Sequence, residues 1–172
     1  MAEFVKFLPG VLDGSLRVVR QLFYLPPIAM VLSVALLVGS RSLSYSWLLR
    51  GAILALSAAA SIQLLPPAWS PTSLMAAEFR LQPIALGFCW LVLASFWLLG
   101  RLPLRVTGLV CCGVTIVAGT LSVWQFLNVK SAIDITYGIL PAMGRGGVVC
   151  LIGLAVIAST GAALALSAGN HK

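Results

Sequence analysis

Five long stretches of this chain carry no Asp, Glu, Lys or Arg. They run 21–40, 51–77, 81–100, 106–129 and 146–171, with lengths of 20, 27, 20, 24 and 26 residues. An α-helix needs about 20 predominantly apolar residues to cross the hydrocarbon core of a bilayer, and each stretch meets that length. The chain therefore reads as an all-α, multi-pass integral membrane protein with five transmembrane helices. The expected spans are about 22–40, 47–65, 82–100, 105–128 and 146–168, forming one bundle over residues 21–172.

Composition agrees. Hydrophobic residues make up 60% of the 172 and charged residues 9%, against about 25% charged in a soluble domain. A domain of this length cannot hide that much apolar surface from water, so lipid has to cover it. Five spans leave room for short connections but for no separate soluble domain. The stretch 21–40 is too long for the apolar core of a cleaved leader and is read as a retained first span. A bacterial inner membrane is the favoured setting.

The net charge of +7 does not point to nucleic acid. The cations flank the apolar stretches: Arg17, Arg20, Arg41, Arg50, Arg80, Arg101, Arg105, Lys130 and Arg145. Cations there reach out to headgroups and attract anionic lipid. Along the sequence they form no cluster of the kind a polyanion would need. Orientation by the positive-inside rule is evenly balanced. The ends after spans 1, 3 and 5 hold Arg41, Arg50, Arg101, Arg105 and Lys172, five in all; the opposite side holds six. The turns after spans 1 and 3 contain no acid and are expected inside, although the basic N-terminal segment pulls the other way.

Residues 1–20 alternate apolar and charged positions, broken by Pro9-Gly10 and Asp13-Gly14. This pattern predicts a short amphipathic segment lying in the interface. Pro26-Pro27 fall in the first turns of span 1, where missing amide donors cost least. Span 2 is expected to stop at Pro66-Pro67, before an extended Pro- and Trp-containing loop. "GRLPLR" at 100–105 is a tight turn, making spans 3 and 4 antiparallel neighbours. A second longer loop is expected at about 129–145.

Residues that could carry chemistry are sparse. An ionisable side chain at membrane depth is a functional-site hypothesis by default, and no span has one in its middle. Gln63, Gln82, Gln125 and Asn128 lie near expected span ends, where water or headgroups can satisfy them. His171 is the sole histidine, and Glu3, Asp13, Glu78 and Asp134 are far apart. Glu78 and Arg80 could pair at the mouth of span 3, an exposed interaction contributing about 0–1 kcal/mol. Neither G-x-S-x-G nor H-E-x-x-H is present, and "GRGG" at 144–147 follows no strand, so it reads as a flexible helix entry rather than a phosphate cradle. Cys89, Cys111, Cys112 and Cys150 fall within spans and lack disulfide or zinc spacing. No enzyme activity, metal, cofactor, nucleic acid or soluble substrate is expected.

The most specific pattern concerns packing. Gly51, Ala55 and Ala59 recur every four residues in span 2, with Ala52, Ala58 and Ala60 beside them. Ala155, Ser159, Ala163 and Ser167 form a second ridge in span 5. Small residues at this spacing let helix backbones approach closely. They serve either as docking faces for another chain or as the contact between these two spans. Span 3 is bulky, with Phe88, Trp90, Phe96 and Trp97. Trp97 suits an interfacial belt. The deeper Trp90 suits lipid, pigment or quinone contact, or simply fills a helix groove. Truncating Leu93 on this span is expected to harm folding less than enlarging Ala59 or Ala163.

These readings predict a non-catalytic accessory or scaffolding subunit of a larger membrane complex, with other membrane subunits and lipid as partners. The alternative is a small oligomeric permease for lipid or hydrophobic substrates, its cavity lined by Ser57, Ser61, Thr115, Thr120 and Ser122.

Overall fold

The computed structural model describes residues 20–65, 79–137 and 145–168. The expected N-terminal interfacial segment, the loop after Pro66 and the Glu78 half of the proposed ion pair lie outside them. All described regular structure is helical. A 3-10 turn, Arg20–Tyr24, leads into α1, Leu25–Gly39. Then follow α2, Trp47–Ser61; α3, Leu81–Ala94; α4, Phe96–Leu99; α5, Leu104–Tyr137; and α6, Arg145–Ser167.

Local sequence explains the boundaries. The proline pair occupies the opening positions of α1 as expected. Ser46 caps α2, its side chain accepting from the Leu49 amide at 3.3 Å. That helix tightens into a 3-10 turn at Ile62–Leu64, and Leu65 is extended at φ −76°, ψ 150°, the conformation imposed on a residue preceding proline. The fourth span outruns its expected end near residue 128, because α5 continues to Tyr137. Lys130 ends the charge-free run, but no glycine or proline follows before Gly138, so nothing stops the helix.

Among the described residues, four helices are long and apolar enough to cross a membrane: Leu22–Gly39, Trp47–Leu64, Leu104–Lys130 and Gly146–Ser167. The stretch expected to supply a further span, 82–100, is divided. Ser95 leaves the helical region at φ −88°, ψ 9°, separating α3 from α4. The 14 residues of α3 rise only about 21 Å, short of the ~30 Å hydrocarbon core. Backbone bonds still cross the break: the Ser95 amide donates to Leu91 at 3.0 Å and the Leu99 amide to Ser95 at 3.2 Å.

The hub is α1, which packs against all five other helices. Of the Leu22–Gly39 span 44% is buried, against 11% for Trp47–Leu64 and for Gly146–Ser167. One side of α1 joins an apolar core of Val31, Ala35, Leu64, Cys89, Val92 and Leu93. The other meets α5 and α6 through Ala29, Ala118 and Leu154. Leu93 is 7% exposed inside the first cluster. This corrects the expectation that truncating it is the milder change: Leu93 sits in the core, whereas the bulky Phe88, Trp90 and Trp97 of the same span are half exposed.

Candidate functional site

The two small-residue ridges both point outward. Gly51, Ala52, Ala55, Ala59 and Ala60 of α2 are exposed, as are Ala155, Ser159, Ala163 and Ser167 of α6. Of α2 only Ser61 is buried. A Cβ added to Gly51 would meet nothing within 4 Å. The ridges therefore do not close the bundle on itself. Ser159 and Ser167 satisfy their hydroxyls on the Val156 and Leu164 carbonyls of their own helix, at 2.9 and 3.1 Å, leaving these surfaces small and chemically quiet.

Other glycines make the close contacts. α5 and α6 cross at Gly108 and Gly161. A Cβ on Gly108 would lie 2.5 Å from the Gly161 oxygen, and one on Gly161 2.7 Å from the Gly108 oxygen. A second pair, Gly39 and Gly100, presses the end of α1 against the end of α4, where a Cβ on either residue would overlap backbone of the other helix.

Both singled-out tryptophans are half exposed. Trp90 donates its indole N–H to Ser61 Oγ at 3.1 Å, tying α3 to α2. This meets the hydrogen-bonding need of a deep indole and leaves half of the residue exposed. Trp97 lies beneath the Arg101 guanidinium, 5.6 Å from the ring centroid.

The five hydroxyls expected to line a cavity do not converge. Ser61 donates to the Ala58 carbonyl at 2.7 Å, and Ser122 donates to the Leu22 carbonyl at 2.9 Å. Thr115 and Thr120 do share an apolar groove of about 460 Å³ between α5 and α6, with Gly119, Trp124, Leu151 and Ala155. Their hydroxyls donate to Cys111 and Ile116 in their own helix, at 2.7 and 2.8 Å, so the groove offers methyl groups and an indole.

Sequence reasoning missed a polar seam along the buried face of α5. Thr107, Cys111, Thr115, Ala118, Gln125 and Val129 are buried, with Ser122 half-buried among them. Their spacing of 4, 4, 3, 4, 3 and 4 was the available signal. Opposite them the Cys111 thiol donates to the Ser33 carbonyl at 3.9 Å. The hydroxyls of Ser33 and Thr107 have no partner.

Gln125 is fully buried with neither Oε1 nor Nε2 bonded, which overturns its reading as a solvated end residue. Gln82 is also buried; its Nε2 donates to the Tyr24 hydroxyl at 2.6 Å. An unsatisfied buried amide costs about 1–3 kcal/mol.

The same fold changes the reading of the cations. Arg41 follows Gly39 by two residues, and Arg101 follows Gly100 by one. The glycine contact therefore sets two Arg-bearing connections side by side that lie about sixty residues apart in sequence. The four cysteines are free, and among the described residues no three His, Cys, Asp or Glu side chains gather to hold a metal ion. Comparison with protein-family models, curated proteins and solved structures finds no match. Among the described residues, four spanning-length helices, three of them packed around the first, define the class: an all-helical membrane protein.

Proposed function

We propose that the chain is a non-catalytic accessory or scaffolding subunit of a larger membrane complex, docking through α2 and α6. The observation that carries this reading is the outward position of both small-residue ridges, on two of the least buried spans. In lipid, close backbone packing drives helix association, and small residues are what permit it. A span that only had to face lipid would gain by carrying Leu instead. In this reading α3 and α4 act together as a fifth span. Residues 81–99 rise about 28 Å as one apolar rod, close to the hydrocarbon thickness, with Ser95 as a bend.

Purification in mild detergent followed by mass analysis tests the reading. Unrelated chains are expected at fixed stoichiometry, and Ala59→Leu or Ala163→Leu should release them while the isolated chain keeps its thermal stability. A monomer or homo-oligomer alone, unaffected by either change, would overturn it.

The apolar groove between α5 and α6 favours a second reading, a carrier for lipid or hydrophobic substrates. A Thr120→Trp variant, filling the groove, separates the two. It should abolish uptake of a hydrophobic substrate by a carrier but leave subunit association intact.

A further inference from the structure

The end of the bundle that holds the connections after α1 and α4 gathers four arginines. The Gly39–Gly100 contact fixes these connections against each other. Consecutive Cα atoms are about 3.8 Å apart, so Arg41 and Arg101 cannot leave this end of the molecule. Arg50, at the fourth position of α2, turns back toward it: its Nη2 donates to the Leu43 carbonyl at 3.0 Å. Arg105 stands in the first turn of α5. The side chains of Arg41, Arg101 and Arg105 are exposed. No Asp or Glu occurs from residue 14 to 77 or from 79 to 133, so neither connection supplies a carboxylate to neutralise them.

The apolar surroundings fit the charge. Arg101 lies over the ring of Trp97, and Trp97 and Leu98 of α4 are both more than half exposed. A guanidinium held over an outward-facing indole, with apolar side chains below it, has the layering of a membrane interface: cation at headgroup level, ring at the boundary, aliphatic surface beneath.

We propose that this end of the bundle is a headgroup site for anionic phospholipid. The guanidinium groups of Arg41, Arg101 and Arg105 take the phosphate. Their planar donor forks match phosphate oxygens in pairs, which a lysine ammonium cannot do. The acyl chains run along the exposed Trp97 and Leu98 surface. Arg50 braces the first connection through Leu43 rather than meeting the lipid. The site does not depend on the scaffolding reading, because its geometry comes from the glycine contact, the Arg101–Trp97 stack and the start of α5 rather than from the ridges.

The test uses the full chain purified in a non-ionic detergent. Binding of phosphatidylglycerol, phosphatidylcholine and inorganic phosphate is measured in separate arms by native mass spectrometry. Phosphatidylglycerol is expected to bind at least tenfold more tightly than phosphatidylcholine, and inorganic phosphate only weakly. Each surface cation contributes about fivefold to anionic-lipid affinity. Arg41→Gln and Arg105→Gln should therefore each weaken phosphatidylglycerol about fivefold, and the triple change with Arg101→Gln about 100-fold. Raising salt should weaken binding to the wild type more than to the triple variant. Arg80→Gln with Lys130→Gln, outside these two connections, should change it less than twofold. A loss below threefold in the triple variant, or an equal loss in the Arg80/Lys130 variant, would overturn the site. Inorganic phosphate binding as tightly as phosphatidylglycerol would overturn the lipid as its ligand. The single variants change exposed side chains and keep the test decisive should the triple variant misfold.

Discussion

The two sides of α1 are built on opposite principles. Toward α2 and α3 it meets a filled apolar core, in which Val31 and Ala35 pack with Leu64, Cys89, Val92 and Leu93. Toward α5 and α6 it meets small and polar groups: the Ser33 carbonyl against Cys111, Ala29 against Ala118, and beyond them the Gly108–Gly161 crossing. The first side gains its contacts from side-chain volume. Behind the second, α5 and α6 gain theirs from the absence of volume, because at Gly108 and Gly161 a missing Cβ lets two backbones touch. A mutation of one sign therefore harms one side, and a mutation of the opposite sign harms the other.

Insertion on the glycine side should have the largest effect. Gly161→Leu places a branched side chain where even a Cβ would sit 2.7 Å from the Gly108 oxygen and 2.9 Å from the Cys112 nitrogen. Backbone cannot yield as a flexible side chain can. We expect a loss of about 3 kcal/mol or more, read as a lower thermal midpoint in detergent. An unchanged midpoint would show that α5 and α6 do not cross at these glycines.

Truncation on the filled side should come next. Leu93→Ala leaves a cavity in a packed cluster and should cost about 2–4 kcal/mol. The same truncation at Leu91, which is 65% exposed on the same helix, should cost under about 1 kcal/mol. Equal losses at the two positions would erase the distinction between core and periphery on α3.

The seam offers a smaller effect of opposite sign. Gln125→Leu removes an amide with no hydrogen bond at either end and replaces it with an apolar group of similar length. It should stabilise the isolated chain by about 1 kcal/mol. A destabilisation of that size would mean that the amide is bonded in the working protein. The smallest effect belongs to the ridges: Ala59→Leu and Ala163→Leu should move the midpoint of the isolated chain by no more than about 0.5 kcal/mol.

Much of this was legible from residue types taken in order. The charge-free stretches located the four spanning-length helices among the described residues, while the stretch at 81–100 is divided at Ser95. Pro26-Pro27 marked the start of α1, and Pro66 the end of the helix before it. "GRLPLR" marked the connection into α5. These signals act through the local backbone or through transfer of a whole segment into lipid, and both are read along one dimension. The site was less legible. Small residues were recognised as packing devices, but the glycines that touch are 39 with 100 and 108 with 161, while the more regular ridges face outward.

What the chain determined by itself is its solvent. With 60% hydrophobic residues and unbroken apolar runs, its helices are bound for a bilayer. Apart from α5, whose polar seam carries its own period, which face of each helix turns inward was decided only in three dimensions. In a soluble helix, polar residues mark the outside, and the period of the pattern gives the answer. Here lipid and core are equally apolar, so Leu56 on the outside of α2 and Leu93 in the core are the same letter in the same kind of segment. Steric fit between distant backbones made the choice. It buried the α5 seam and exposed the ridges, and at Gly39 and Gly100 it set two separate connections beside each other.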